Sequence, residues 1–259
     1  LAWKNITNII VFSIPLLAVA LGQNVVILTG GFDLSVGAQV SLTTGILSVL
    51  MTWSVVGSLF IAIVVGMAIG IINGIGISRL DVNPFLMTLG MLFAVEGAAL
   101  IVRPTPGGFI SPAFANTLTY SIGRFPLVPL FVFALIALIG TIILRKRHFG
   151  RLIYAIGDAE EHSVLRGINV AGIKLKAYLF SGILAAIGGI YMAAWARTGD
   201  PTIGSPLLFE SITAVVLGGT SVSGGVGKFL NTVFAVIILG SASSFLFFQG
   251  WDDWYRYLI

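Results

Sequence analysis

Eight runs of mostly apolar residues follow one another along the chain with short polar connections, at about 8–29, 35–51, 55–78, 83–102, 126–144, 177–196, 209–219 and 228–250. A helix needs roughly 20 such residues to cross the hydrocarbon of a bilayer, so these runs are candidate membrane spans and leave little room for a soluble domain. With 57% hydrophobic and 9% charged residues over 259 positions, a water-soluble fold would have more apolar surface than it could hide. The expected fold class is an all-α polytopic membrane protein, one transmembrane domain over residues 1–259. The runs around 35 and 209 are short and abut glycine-rich stretches, which predicts broken or half-length helices there.

Seven of the fourteen Lys and Arg fall between Arg145 and Lys176: Arg145, Lys146, Arg147, Arg151, Arg166, Lys174 and Lys176. A basic cluster flanked by apolar runs marks a cytoplasmic loop under the positive-inside bias. The formal charge of +4 therefore calls for no nucleic-acid partner, since the basic residues are not spread as a nucleic-acid footprint. Alternating outward from the loop puts the Arg79 turn inside and the segments Arg103–Phe125 and Arg197–Leu208 outside. Two glycine-rich breaks, Gly30–Gly37 and Gly218–Gly227, then lie toward the cytoplasmic ends of their helices. The chain opens on Leu1 and stops at Ile259 with no evident cleavable signal peptide, and both ends read as truncated, with one further span expected ahead of Leu1.

The two breaks resemble each other: Val25-Val26-Ile27-Leu28-Thr29-Gly30-Gly31 stands against Val215-Val216-Leu217-Gly218-Gly219, and Ser35-Val36-Gly37 against Ser221-Val222-Ser223-Gly224. Duplication in transporters puts the solute path near the repeat interface; two apolar, glycine-rich strings also match by chance, and both readings stand. Asp33, inside the first break, is a carboxylate between two spans, where unpaired charge is costly. It either contacts solute or caps the helix that begins near Leu34 by accepting backbone N–H bonds, and the cap is the leading reading. Gln23, Asn24, Gln39, Asn73, Asn83, Glu96 and Glu210 are further polar groups in or beside spans. Neutral donors and acceptors suit a polar solute, and amides equally bind helices to one another in lipid. Glu96 stands apart because it lies well inside a span with no Lys or Arg near it in sequence. The candidate path residues are Gln23, Asn24, Asp33, Gln39, Asn73, Glu96 and Glu210.

The basic segment carries the most readable local pattern. Asp158 as N-cap with Glu161 at the third helical position forms a capping box; Glu160 and Glu161 suit the positive helix end, Arg166 the negative end, and Gly167 follows as a stop. A helix of about two turns is predicted, with an apolar edge of Val164, Leu165 and Ile168 that a partner's groove would bind; the alternative is a surface helix lying on its own protein. Other chemistry lacks raw material. Gly224-Gly225-Val226-Gly227-Lys228 resembles the end of a phosphate loop, but Val222 stands where the first Gly is needed and Phe229 where a hydroxyl residue is needed. Two histidines, His148 and His162, and no cysteine leave nothing for a metal site, a disulfide framework or a catalytic triad. No enzyme activity, metal or cofactor is expected.

Three blocks resemble the ribose, xylose and galactose type of ABC sugar permease. They are Gly30-Gly31-Phe32-Asp33-Leu34-Ser35-Val36-Gly37; Tyr154-Ala155-Ile156-Gly157 with Glu160-Glu161 and Gly167-Ile168-Asn169-Val170; and Ala214-Val215-Val216-Leu217-Gly218-Gly219-Thr220-Ser221 with Ser223-Gly224-Gly225-Val226-Gly227. The likeness runs from about Asn5 to Trp254. It implies a type II importer fold of about ten helices, of which eight are present, in the bacterial inner membrane. It further implies a pair of permeases, identical or different, on two cytoplasmic ATP-binding subunits, with a periplasmic solute-binding protein delivering the solute. The family's coupling helix falls on Gly157–Gly167, so the resemblance assigns ATPase coupling to Asp158, Glu160, Glu161, Ser163, Leu165, Arg166 and Gly167. The chain departs from the family at Asp158-Ala159, at His162-Ser163, and at Leu208, which replaces one member of an acidic pair whose other member is Glu210. Nucleoside and autoinducer permeases share much of the pattern. The competing class is an ion-coupled secondary transporter using Asp33, Glu96 and Glu210 as its carboxylates.

Overall fold

The computed structural model describes residues 2–123 and 125–248, with side chains described outside 2–8, 243 and 246–248. Among these residues the chain is all α: α1 Ala2–Leu28, α2 Val36–Leu50, α3 Val55–Ser78, α4 Pro84–Val102, α5 Pro112–Leu118, α6 Leu127–Lys146, α7 His148–Asp158, α8 Glu160–Leu165, α9 Val170–Ala196, α10 Ser205–Leu217 and α11 Phe229–Phe248. Ile9–Leu28 of α1 and helices α3, α4, α6 and α9 are long and apolar enough to cross a membrane, and α2, α10 and Phe229–Ala242 of α11 are shorter apolar helices. Each of the eight expected runs is a helix. The last two residues of the final run, 249 and 250, and Trp254 lie outside the described residues. Helices α2 and α10, of 15 and 13 residues, measure about 22 and 20 Å, short of a hydrocarbon core of about 30 Å; they are the half-length elements expected beside the breaks.

Two expectations are corrected. The apolar run 177–196 suggested a helix from about 177, whereas α9 begins at Val170, where Asn169 caps it by accepting the Gly172 N–H at 2.8 Å. Lys174 and Lys176 interrupt the apolar signal without interrupting the helix. The basic segment is likewise no simple loop with one short helix: α6 continues to Lys146, and α7 adds three turns before α8. Its Phe149, Leu152, Ile153 and Ile156 recur at helical spacing, and Ile153 and Ile156 are buried.

Helices α1 and α9 form the centre, with α6, α10 and α11 on α1 and with α2 and α3 on α9. The α3–α9 crossing is close because Gly66, Gly70 and Gly74 present no side chain. A Cβ at Gly66 or Gly70 would strike the α9 backbone at Gly182 or Tyr178, and one at Gly74 would strike the Leu175 side chain. Small residues every fourth position let helix backbones approach in this way in membranes. At one end of the bundle Gly107 and Gly199 exchange backbone hydrogen bonds of 2.9 Å, and Arg197 Nη2 donates to Asn116 Oδ1 at 2.6 Å. The two segments expected outside, 103–125 and 197–208, thus meet there. The basic segment contacts the other end of α9, one helix length away.

Candidate functional site

Helix α1 ends in a Schellman motif. Gly30, at φ +78°, donates its N–H to Ile27 O at 2.9 Å, and Gly31 donates to Val26 O at 3.2 Å. Helix α10 ends the same way: Gly219, at φ +80°, donates to Val216 O at 2.8 Å, and Thr220 to Val215 O at 3.2 Å. The breaks therefore share one stop, in a register that pairs Gly30 with Gly219, one residue off the Gly30–Gly218 alignment the sequence suggests. Thr29 and Gly218 occupy the equivalent C-cap positions.

Beyond the first stop the chain turns into the bundle. The Asp33 carboxylate is fully buried. Its Oδ1 accepts from Ser35 N–H at 3.1 Å, from the Ser35 hydroxyl at 2.6 Å and from Asn73 Nδ2 at 3.5 Å, and its Oδ2 accepts from the Ser181 hydroxyl at 2.8 Å. Ser35 Oγ in turn accepts from Gln39 Nε2 at 2.8 Å and Asn73 Nδ2 at 3.0 Å. The Phe32 carbonyl accepts from Tyr178 at 3.2 Å and Thr88 at 3.3 Å. No Lys or Arg forms an ion pair with Asp33 among the described residues; hydrogen-bond donors converge on both carboxyl oxygens instead.

The expected cap is corrected in part. Asp33 does accept a backbone N–H, as an Asx turn, but α2 begins at Val36 with Ser35 at its N-cap position and no side-chain cap bond. Asp33 is the knot that binds the segment before α2 to α3 and α9, a role with no local sequence signature because its partners are 40 and 148 residues away.

The other path candidates separate into two groups. Gln23, Asn24, Gln39 and Asn73 are buried with Asp33. Asn24 Nδ2 donates to Thr220 and Thr232 hydroxyls at 3.0 Å each, joining α1 to the second break and α11. Gln23 Nε2 and Oε1, Asn24 Oδ1, Gln39 Oε1 and Asn73 Oδ1 bond to no protein atom. Glu96 and Glu210 are only half-buried, on α4 and α10, which both pack on α2. Asn83 is exposed and caps α4 by accepting Phe85 N–H at 2.9 Å.

At the basic end α7 meets both breaks. Gly225 N–H donates to Leu28 O at 3.1 Å, and Gly157 lies against that pair so closely that a Cβ would strike Leu28 O and Gly225 N. A Cβ at Gly224 would meet Gly30 N and Gly157 Cα. The Tyr154 hydroxyl donates to Gly227 O at 3.0 Å. Burial pushes that hydroxyl above its ordinary range, against the pull of Arg145, so it stays protonated and remains the donor.

The capping box at Asp158 does not form. Asp158 is the last residue of α7, and Ala159, extended at φ −157° and ψ 92°, ends α7 and starts α8 without a side-chain cap. Glu160 is taken instead by Lys174, at 2.7 Å. The predicted stop does form: Gly167, at φ +75°, donates to Val164 O at 2.9 Å and Ile168 donates to Ser163 O at 3.0 Å, a third Schellman motif. Ser163 is buried, its hydroxyl on Ala155 O at 3.0 Å. Asp158, Glu161, Arg166 and Gly167 are exposed, and the apolar edge narrows to Val164 and Leu165, 57% and 83% exposed, because Ile168 packs on the core.

Among known proteins the chain is similar to the ribose import permease protein RbsC of Escherichia coli strain K12, 32% identical over 99% of this chain and 82% of the relative. RbsC of Bacillus subtilis is 33% identical over 93% of this chain and 76% of its own. The galactose/methyl galactoside import permease protein MglC of Salmonella typhimurium is 32% identical over 100% of this chain and 83% of its own. No solved structure matches the chain. With residues 5–259 matching the family described as branched-chain amino acid transport system / permease component, the chain belongs to that family of membrane transport components.

Proposed function

We propose that this chain is the permease subunit of an ATP-binding-cassette importer that carries a sugar or sugar-like solute into the cell. It works in the bacterial inner membrane with cytoplasmic ATP-binding subunits, a periplasmic solute-binding protein and a second permease subunit. Residues 1–259 act as one transmembrane domain whose basic segment, 145–176, faces the cytoplasm. The solute class rests on the relatives, named as import permeases for ribose and for galactose. The observation that carries the coupling is Gly157, wedged at the end of α7 against both glycine breaks while Val164 and Leu165 of α8 point outward from the same corner. A partner that pulls on α8 moves α7, and α7 has backbone contact with the segments that end α1 and follow α10.

A second permease subunit is supported by α4. Glu96 is half-buried on a largely outward-facing helix, and Gly90 and Gly97 have nothing within 4 Å of a Cβ position. A carboxylate and a small-residue surface facing lipid are costly and unused; a facing subunit gives both a role. In this reading the solute passes along the open faces of α4 and α10, with Glu96 and Glu210, and the buried set around Asp33 holds the half-helices in position.

The test is Leu165→Asp, which puts a charge into the α8 contact. If the partner buries that edge fully, the substitution costs about 2–5 kcal/mol of binding, so the ATP-binding subunit no longer co-purifies while the solute-binding protein still docks. Retention of the ATP-binding subunit with normal solute-stimulated hydrolysis overturns the coupling role. Uptake that survives ATP depletion and collapses with an ionophore would return the chain to the ion-coupled class.

A further inference from the structure

Phe149 of α7 and Lys176, Leu179, Phe180 and Ile183 of α9 line a cavity of about 250 Å³ that belongs to neither the Asp33 knot nor the α8 edge. Its walls are apolar except at one end, where Lys176 is exposed. From Lys176 to Ile183 the α9 wall rises about 10 Å. Lys176 also marks a boundary in the sequence: the uncharged stretch of α9, Ala177 to Ala196, begins just after it, a pattern that suits an ammonium at headgroup level with Leu179 to Ile183 in hydrocarbon.

We infer that this cleft binds an anionic phospholipid of the cytoplasmic leaflet, with an acyl chain between α7 and α9 and the phosphate at Lys176; the leaflet rests on the orientation proposed above. Charge complementarity selects the occupant. Glu160 pairs with Lys174 at 2.7 Å, and no acid pairs with Lys176 among the described residues. Arg145, Lys146, Arg147 and Arg151 are all exposed beside Phe149, and no Asp or Glu occurs from Arg145 to Gly157. Basic pockets between transmembrane helices on the cytoplasmic side suit anionic headgroups. A free phosphate would match the ammonium and leave the apolar cleft unfilled. A lipid here braces α7 against α9, on the helix whose last turn carries Gly157.

The test uses the purified importer complex in detergent, with native mass spectrometry reading retained phosphatidylglycerol against phosphatidylcholine. One cationic side chain near the membrane surface gives a preference of about five-fold. The preference is expected in the unmodified complex, and Lys176→Gln, at an exposed position, is expected to remove it. Ile183→Trp, which fills the cleft, should lower retention of both lipids. Equal retention of the two lipids, a preference unchanged by Lys176→Gln, or displacement by millimolar inorganic phosphate overturns the inference. Absence of the preference from the unmodified complex with the ATP-binding subunit bound overturns the lipid site alone, and a preference that is present in a chain that recovers no ATP-binding subunit overturns the importer reading alone.

Discussion

The two glycine breaks end their helices with the same pair of hydrogen bonds and then part company. After Gly30 the chain enters the bundle: Gly31, Asp33 and Ser35 are buried, Asp33 is bonded to α3 and α9 and Ser35 to α3, and Phe32 O ties the segment to α4 as well. After Gly219 it stays near the surface. Val222 and Ser223 are exposed, and the turn closes on itself through Ser221 N–H to Val226 O at 2.8 Å and Gly224 N–H to Ser221 O at 3.0 Å. Its outward ties run to α1 and α11 through Asn24, to Leu28 and to Tyr154. One stop motif thus serves as an anchored post at the first break and as a lightly held arm at the second, and of the two only the post holds a buried carboxyl, that of Asp33.

The largest effect is expected at the post. Asp33→Leu removes the acceptor for Ser35 N–H, Ser35 Oγ, Asn73 Nδ2 and Ser181 Oγ at once, and unsatisfied buried donors cost about 1–3 kcal/mol each before relaxation. The protein should fail to accumulate in the membrane. Asp33→Asn keeps an acceptor oxygen and should preserve folding and much of transport. If both variants accumulate normally and lose uptake equally, the charge acts in transport and the post is not a structural device. Ser223→Ala at the arm, in contrast, should leave accumulation unchanged.

An intermediate effect is expected where the breaks meet. Gly157→Ala places a methyl group against Leu28 O and Gly225 N, which are backbone atoms with no rotamer to escape into. Overpacking of this kind costs about 1–3 kcal/mol. The folded protein should still bind the ATP-binding subunit through α8 while solute uptake falls, since α7 no longer seats between the two segments. Uptake at the unmodified level would separate the joint from the transport cycle.

What the chain discloses by itself follows the range of the interactions. The run 55–78 predicts α3 to the residue because its ends are local: Ser54 caps it by accepting Gly57 N–H, and Arg79 closes it. The Schellman stop at Gly167 is legible for the same reason, and the one after α10 is legible to within one residue, at Gly219 instead of Gly218. The start of α9 is not, because Lys174 and Lys176 lower the apolar signal while the helix runs on through them. Asp158 misleads because a capping box presumes a residue outside the helix, and α7 continues through it. The Asx turn at Asp33 is readable from Ser35 two residues on; Asn73 and Ser181 leave no trace in any local window. The half-exposure of Glu96 is equally invisible until α4 has been set against its neighbours.

The smallest effects sharpen the comparison most. Gly30 and Gly219 have nearly the same φ, +78° and +80°, and a Cβ would meet only Ser223 O at 3.7 Å in the first case and nothing within 4 Å in the second. Alanine at either site therefore meets no clash and is penalised only by its left-handed backbone, about 1–2 kcal/mol. Gly30→Ala and Gly219→Ala should lower stability against unfolding in sodium dodecyl sulfate by the same amount, whatever the burial of the segments that follow. Equality means that the stop is an independent local unit, and that post and arm differ only in what comes after it. A loss at Gly30 clearly above that at Gly219 would mean that the anchoring of Phe32 and Asp33 reaches back through Gly31 into the stop, so the two breaks would not share a motif in energetic terms despite sharing its hydrogen bonds.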